Sequence, residues 1–400
     1  MKKLFTLLFL VSLLSTYGQA ILKKADKLVE QKKYASAYAL LEKKDPDNKK
    51  PAIVLKKADI AMDYFVTSIM HQTFAFKDLE EGEDLMEARL NDEGQTYALY
   101  VLPIQDVLDT LIMQHPENYK LHKTLGKFYY EVYLKYGENW MMTSDELLKK
   151  MYDHSIIAAE NGEADFLTYY NIGFYLTGME RYIEAISAYK NSVQLDSTYP
   201  TSQYNLAICY LYVDSAQQGT GYAEKAVELY KSPALKADAA RVTGVLYKTS
   251  GDFNNAHKFL ELSNQIQPEN YYTLAQLLEV QLTLELNNDA ANSAAVFFEL
   301  DPANPAIVGE LMGIYSQQNA DTLLFPILNQ KIEEHKDDFE VLGTVYFLLA
   351  RYYIAQNDIA AAKTLLIASR KNFEKVLEDD TPVFKVIDDF LAKYPDTLEK

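Results

Sequence analysis

Residues 240–268 read ARVTGVLYKTSGDFNNAHKFLELSNQIQP. Ala240, Thr243, Gly244 and Tyr247 fall at helical spacing, Gly251-Asp252-Phe253 interrupts, and Ala256 and Leu260 resume the beat until Pro268. Gly244 and Ala256 are small where two antiparallel helices must cross closely, and Tyr247 and Leu260 fill the space beside them. Gly251 supplies the left-handed residue that ends the first helix at least cost. Pro268 stops the second. The stretch predicts one helix–turn–helix unit.

Two earlier copies share its register. Tyr169, Ile172, Gly173 and Leu176 lead to Ala185 and Tyr189; Gln203, Leu206, Ala207 and Tyr210 lead to Ala226 and Tyr230. Gly173 and Ala207 are 34 residues apart, and Gly173–Ala185 and Gly244–Ala256 are each 12 apart. The pattern resembles the tetratricopeptide (TPR) repeat, departing from it where Ala240 replaces an aromatic and Thr243 a leucine. The resemblance implies an all-α helix–turn–helix solenoid wound as a right-handed superhelix. With 34 residues as the ruler, roughly nine or ten helix pairs and a C-terminal capping helix are expected.

Working outward, residues 21–166 read as divergent repeats with insertions, 167–268 as the three clear repeats, 269–380 as degenerate repeats, and 381–400 as the capping helix and tail. Ala25, Leu28, Tyr34, Ala37 and Leu41 keep the beat at the start. A helix is expected over 51–76, a solvated loop or frayed helix over the acid-rich 77–94, and a mostly helical stretch over 96–115 with Pro103 as a kink or start. Thr143 and Glu146 form a capping box. Trp140, the only tryptophan, and Met141 beside it are candidates for a partner contact; the alternative is that Trp140 folds back over the repeats.

Of 400 residues, 48% are hydrophobic, and stacked repeats need no separate domains. Residues 1–20 have the form of a secretory leader: Lys2 and Lys3, an apolar run over Leu4–Leu14, and the small-x-small site Gly18-Gln19-Ala20. No cysteine lies near that site, which argues against a lipoprotein anchor. No later stretch is apolar enough to cross a bilayer. The expected location is the periplasm or cell envelope of a bacterium, in soluble form. The net charge of −18 argues against nucleic acid as a partner, since phosphates call for basic surface. The single cysteine, Cys209, has no internal disulfide partner and reads as a small buried apolar residue.

No phosphate loop, H-E-x-x-H, C-x-x-C or G-x-S-x-G motif occurs. The six histidines are scattered, and the acids of 77–94 do not match cation-loop spacing. No catalytic residue, metal or cofactor is expected. Asn171 and Asn205 occupy the same place in successive repeats, 34 residues apart. The TPR resemblance implies that first helices line a concave face, where an asparagine grips the backbone of an extended peptide with both its donor and its acceptor. Tyr170 and Tyr204 precede the two asparagines, and Arg241 and Lys248 on the next first helix add positive charge that would attract a carboxylate. The likeness to carboxylate-clamp repeats is partial, because Tyr170 stands in place of a lysine and Val242 in place of a third asparagine. The sequence therefore points to an exported scaffold or adaptor binding a protein or peptide partner. A carbohydrate-handling or outer-membrane assembly factor is the alternative, and an enzyme on a helical-repeat scaffold the third.

Overall fold

The computed structural model describes residues 19–91 and 96–394. The expected leader, except for its last two residues, and the acids Asp92 and Glu93 lie outside the described residues. The chain divides into two compact units, the first ending at Cys209 and the second beginning at Tyr210.

In the first unit, helix α1 covers 19–30 and α2 Tyr34–Lys44; α3 (Pro51–Asp63) is followed by an insertion and then α5 (Ile104–Gln114). Next come α6 (Lys120–Lys135) with α7 (Ser144–Glu160), and α8 (Phe166–Gly178) with α9 (Tyr182–Leu195). Helix α10 (Pro200–Tyr212) crosses the boundary and leads to α11 (Ala216–Leu229). The second unit continues with α12 (Pro233–Thr249), α13 (Phe253–Ile266), α14 (Tyr271–Thr283), α15 (Asn287–Glu299), α16 (Pro305–Gln317), α17 (Asp321–Glu334), α18 (Phe339–Ala355), α19 (Ile359–Phe373) and the terminal α20 (Pro382–Lys393). Among the described residues this makes nine helix pairs and a capping helix.

Turn chemistry marks the period. From α8 onward each first helix is followed by a residue at positive φ: Glu180, Asp214, Gly251, Glu285, Asn319 and Asn357. The steps from Glu180 to Asp214, Gly251 to Glu285 and Glu285 to Asn319 are each 34 residues. The stretches expected to be degenerate, 270–301 and 306–337, therefore turn as regularly as the others. What they lack is a glycine to announce the turn.

Starts are set by caps. Thr143 and Glu146 make the expected capping box on α7, and Asp165 and Thr168 make another on α8. Asp252, Asn270, Asp338 and Asp358 accept from first-turn N–H groups of α13, α14, α18 and α19, the interaction that favours short polar residues there. Pro326 lies inside α17. On α20, Phe384 and Ile387 are buried against Leu366 and Phe373 of α19, so the last pair is covered.

The insertion corrects three expectations. Helix α3 stops at Asp63 and does not run to 76. Strands β1 (Thr67–Ile69) and β2 (Thr73–Phe76) follow, and β3 (Ala98–Val101) stands where helix was expected. Pairing is antiparallel in the order β1-β2-β3, with Ile69 opposite Thr73 and Thr73 opposite Val101. Strand β3 alternates, with Leu99 and Val101 on the exposed side, whereas β2 buries Phe74, Ala75 and Phe76 in succession. The acid-rich segment is not simply a solvated loop. Asp78 accepts from the Ser36 N–H at 2.9 Å, capping α2 from afar. Asp84 caps the short helix α4 (Leu85–Leu90). Pro103 is the start point, directly before α5.

Candidate functional site

The first helices α3, α6 and α8 lie side by side, and a cavity of about 540 Å³ opens on them. Helical spacing aligns its charges. Asp59 and Asp63 are one turn apart on α3, and Lys123, Lys127 and Glu131 form a one-turn ladder on α6. Asp165, the cap of α8, and Asn171 and Tyr199 complete the polar and aromatic wall.

Lys127 Nζ is 2.8 Å from Asp63 Oδ2 and 3.7 Å from Asp59 Oδ1, so one ammonium is shared unequally between two carboxylates. Burial works to lower the Lys127 pKa, but Asp63 and Asp59 outweigh it and hold the amine above its ordinary range. Asp59 moves the other way from most paired carboxylates. Burial raises its pKa, with Asp63 adding repulsion, and the surrounding lysines do not fully compensate. Its side chain is still 46% exposed and lines the cavity. Lys123 sits 3.2 Å from Asp165. Burial alone would raise Asp165, yet the Thr168 N–H and Lys123 hold its carboxyl below the usual range. Glu131 is answered by Lys135 at 2.6 Å.

Asn171 is the one sequence-expected residue that lines this cavity. It is 1% exposed, and its Oδ1 has no hydrogen-bond partner. A buried amide carbonyl left unpaired costs about 1–3 kcal/mol, and with almost no accessible surface on Oδ1 a donor reaches it only when the amide turns toward the cavity. Tyr170 does not line the cavity; it is 2% exposed, packed on Tyr130 and Tyr199 of the cavity wall and on Phe174. Asn205 donates to the Tyr170 hydroxyl at 3.4 Å, so it braces α10 against α8. Tyr204 is half-buried on α10 and does not line the cavity.

Arg241 and Lys248 belong to the second unit, and both are already paired. Arg241 holds Asp238 on its own helix at 2.5 Å, and Lys248 holds Glu279 of α14 at 2.6 Å. They are not free cations waiting for a carboxylate. Trp140 is likewise not offered to a partner. It is 8% exposed, packed edge-on to Phe128 and tilted against Tyr136; burying so large an apolar area against α6 is the physical reason it folds back. Met141 beside it is 82% exposed. Among the described residues no group of three or more histidine, cysteine or acidic side chains could hold a metal ion.

Asp59, Asp63, Lys127 and Glu131 were not singled out from the sequence. Their signal is the one-turn spacing of charges on two first helices. The insertion hides it, because Lys127 and Asp63 are separated by 64 residues.

No family model matches the chain, and no curated protein matches it. Solved structures do. A tetratricopeptide repeat protein from Parabacteroides merdae is 12% identical, with 68% of this chain and 97% of that one covered at a TM-score of 0.41. PilF of Pseudomonas aeruginosa is 18% identical, over 53% of this chain and 88% of its own, at 0.38. YrrB, described as a TPR protein with an unusual peptide-binding site, is 17% identical over 47% of this chain and 95% of its own, at 0.37. No helix among the described residues is long and apolar enough to cross a membrane. By its own 34-residue turn period and its paired, closely crossing helices, the chain has an all-α helix–turn–helix repeat fold of tetratricopeptide type.

Proposed function

We propose that the chain is an exported adaptor that binds an extended partner segment in the cavity over α3, α6 and α8. The observation that carries this is the unpaired Oδ1 of Asn171, buried in a first helix at the wall of a cavity of about 540 Å³. An amide there satisfies a peptide N–H whatever the side chain, which suits an extended ligand. The asparagine pair expected from the sequence becomes a division of labour. Asn171 meets the ligand, and Asn205 holds Tyr170 in place behind it.

The test is selection of a displayed random-peptide library on the purified chain and on Asn171→Ala. Peptides retained by the wild type and lost by the variant support the reading. Equal retention by both overturns it. Export is tested separately, by N-terminal sequencing of the protein isolated from the source cell envelope; a mature start at Ile21 is expected, and an intact Met1 would sink that part.

A further inference from the structure

We infer that the same cavity is selective for a cationic side chain of the bound segment, best met by arginine, seated between the Asp59 carboxylate and the Asn171 carbonyl. This rests on the peptide-groove reading and adds the chemical class of the ligand.

The argument is a balance of donors and acceptors. Four carboxylates line the cavity, from Asp59, Asp63, Glu131 and Asp165, against two lysines, Lys123 and Lys127. Three of the four have a cation within 3.2 Å: Lys127 for Asp63, Lys135 for Glu131, Lys123 for Asp165. Asp59 is left with Lys127 at 3.7 Å, outside hydrogen-bond reach.

The cavity wall thus holds two acceptors with unused capacity, Asp59 at its surface and Asn171 Oδ1, which a ligand reaches when the amide turns toward the cavity, while each of its ammonium groups is paired with a carboxylate. A ligand group that fits must donate more than one hydrogen bond and carry positive charge. A guanidinium does both, with five N–H donors in one plane. It also packs against aromatic rings, and Tyr130, Phe166 and Tyr199 line the same wall. Burial that raises the Asp59 carboxyl pKa agrees with this, because a carboxylate short of cation gains most from a new one. A carboxylate-bearing ligand would meet a net acidic wall, four carboxylates against two lysines.

The library selection is extended to Asp59→Asn, and one selected peptide is remade with citrulline in place of arginine. Wild type is expected to enrich arginine, and to bind the citrulline peptide about tenfold more weakly, the loss of one charge-assisted contact. In Asp59→Asn that preference should shrink to within about twofold, the arginine peptide falling toward the affinity of its citrulline counterpart. Asn171→Ala should weaken the arginine and citrulline peptides alike. Helical melts that match wild type show that each variant is folded. Selected peptides that depend on Asn171 but lack basic residues would overturn the cation inference and leave the groove standing. Absence of any Asn171-dependent peptide would overturn both. Agmatine binding as tightly as the peptide would replace a peptide side chain by a free cation as the ligand, and so overturn the inference as stated.

Discussion

A Cβ built on Gly173 would fall 2.7 Å from Cε1 of the Tyr189 ring, closer than real side chains approach. Gly244 meets Leu260 in the same way at 2.6 Å. Tyr189 and Leu260 are fully buried and have nowhere to go. In these two first helices the small residue is thus a contact surface for the second helix.

Gly173→Ala and Gly244→Ala should therefore destabilise. Overpacking costs about 1–3 kcal/mol, and the gain in helix propensity returns less than about 1. Gly309 and Gly313 on α16 have open space where a Cβ would go; alanine there should stabilise by about 0.5–1 kcal/mol. Urea midpoints read all four variants, and a loss at Gly309 equal to that at Gly173 would refute the distinction.

The turn residues give a second series. Glu180 and Glu285 carry φ of 58° and 57°, a region that costs a side-chain-bearing residue about 1 kcal/mol. Each change to glycine should raise stability by up to about 0.5–1 kcal/mol, part of the gain being lost to unfolded-state entropy. Gly251→Ala, at φ 84°, should do the reverse. Chemical denaturation of the single and double variants measures whether the gains add, as distant sites should.

His71 supplies a pH prediction. It is fully buried among Phe65, Phe74, Phe128 and Tyr136, with neither ring nitrogen partnered. Burial, with Lys135 adding repulsion, pushes its pKa down to about 3. His154, 2.8 Å from His122 through their Nδ1 atoms, is pushed down to about 4, by burial first and His122 next. The unfolded chain binds these protons near the ordinary histidine value, so it holds more protons than the folded one in between. Stability is complete above about pH 6.5 and falls as pH drops toward 4, by at most about 1.4 kcal/mol per pH unit for each histidine. His71→Phe should flatten part of that slope while keeping the aromatic packing. Melting midpoints of wild type and variant across pH 7 to 4.5 decide it; parallel curves would rule His71 out.

Asp78→Ala removes the acceptor that caps α2 through the Ser36 N–H and hydroxyl. The expected cost is about 1 kcal/mol, seen as a lower urea midpoint. No change would mean that the Asp78 cap contributes nothing to the first pair.

Asn171→Ala separates binding from folding. Because its Oδ1 is unpaired in the folded chain, the change should cost stability little, within about 0.5 kcal/mol, while abolishing peptide retention. An asparagine that served only to tie helices together would show the opposite pattern.

The helix pairs were legible wherever a small residue met a large one at fixed spacing, as at Gly173 and Tyr189. They blurred after 269 because Leu278 and Met312 stand where the earlier repeats have Gly173, Ala207 and Gly244, and because Glu285 and Asn319 turn the chain without glycine. The sheet was missed for a related reason. Its hairpin turns on Met70 and His71, both at positive φ, and neither is a usual turn residue. Phe65 and Ile69, four apart, also imitate a helix face. At the site, Asn171 was visible from its repeat position. Asp59 and Lys127 were not, since the repeats that carry them are parted by the insertion.

Trp140 has an optical consequence. It is the chain's only tryptophan and lies in the first unit, against Phe128 and Tyr136, beside the ring system that encloses His71. Its emission reports that unit alone, whereas ellipticity sums every helix in the chain. If the repeats unzip in stages, the fluorescence and ellipticity transitions separate along the urea axis; if the stack melts as one body, they superimpose.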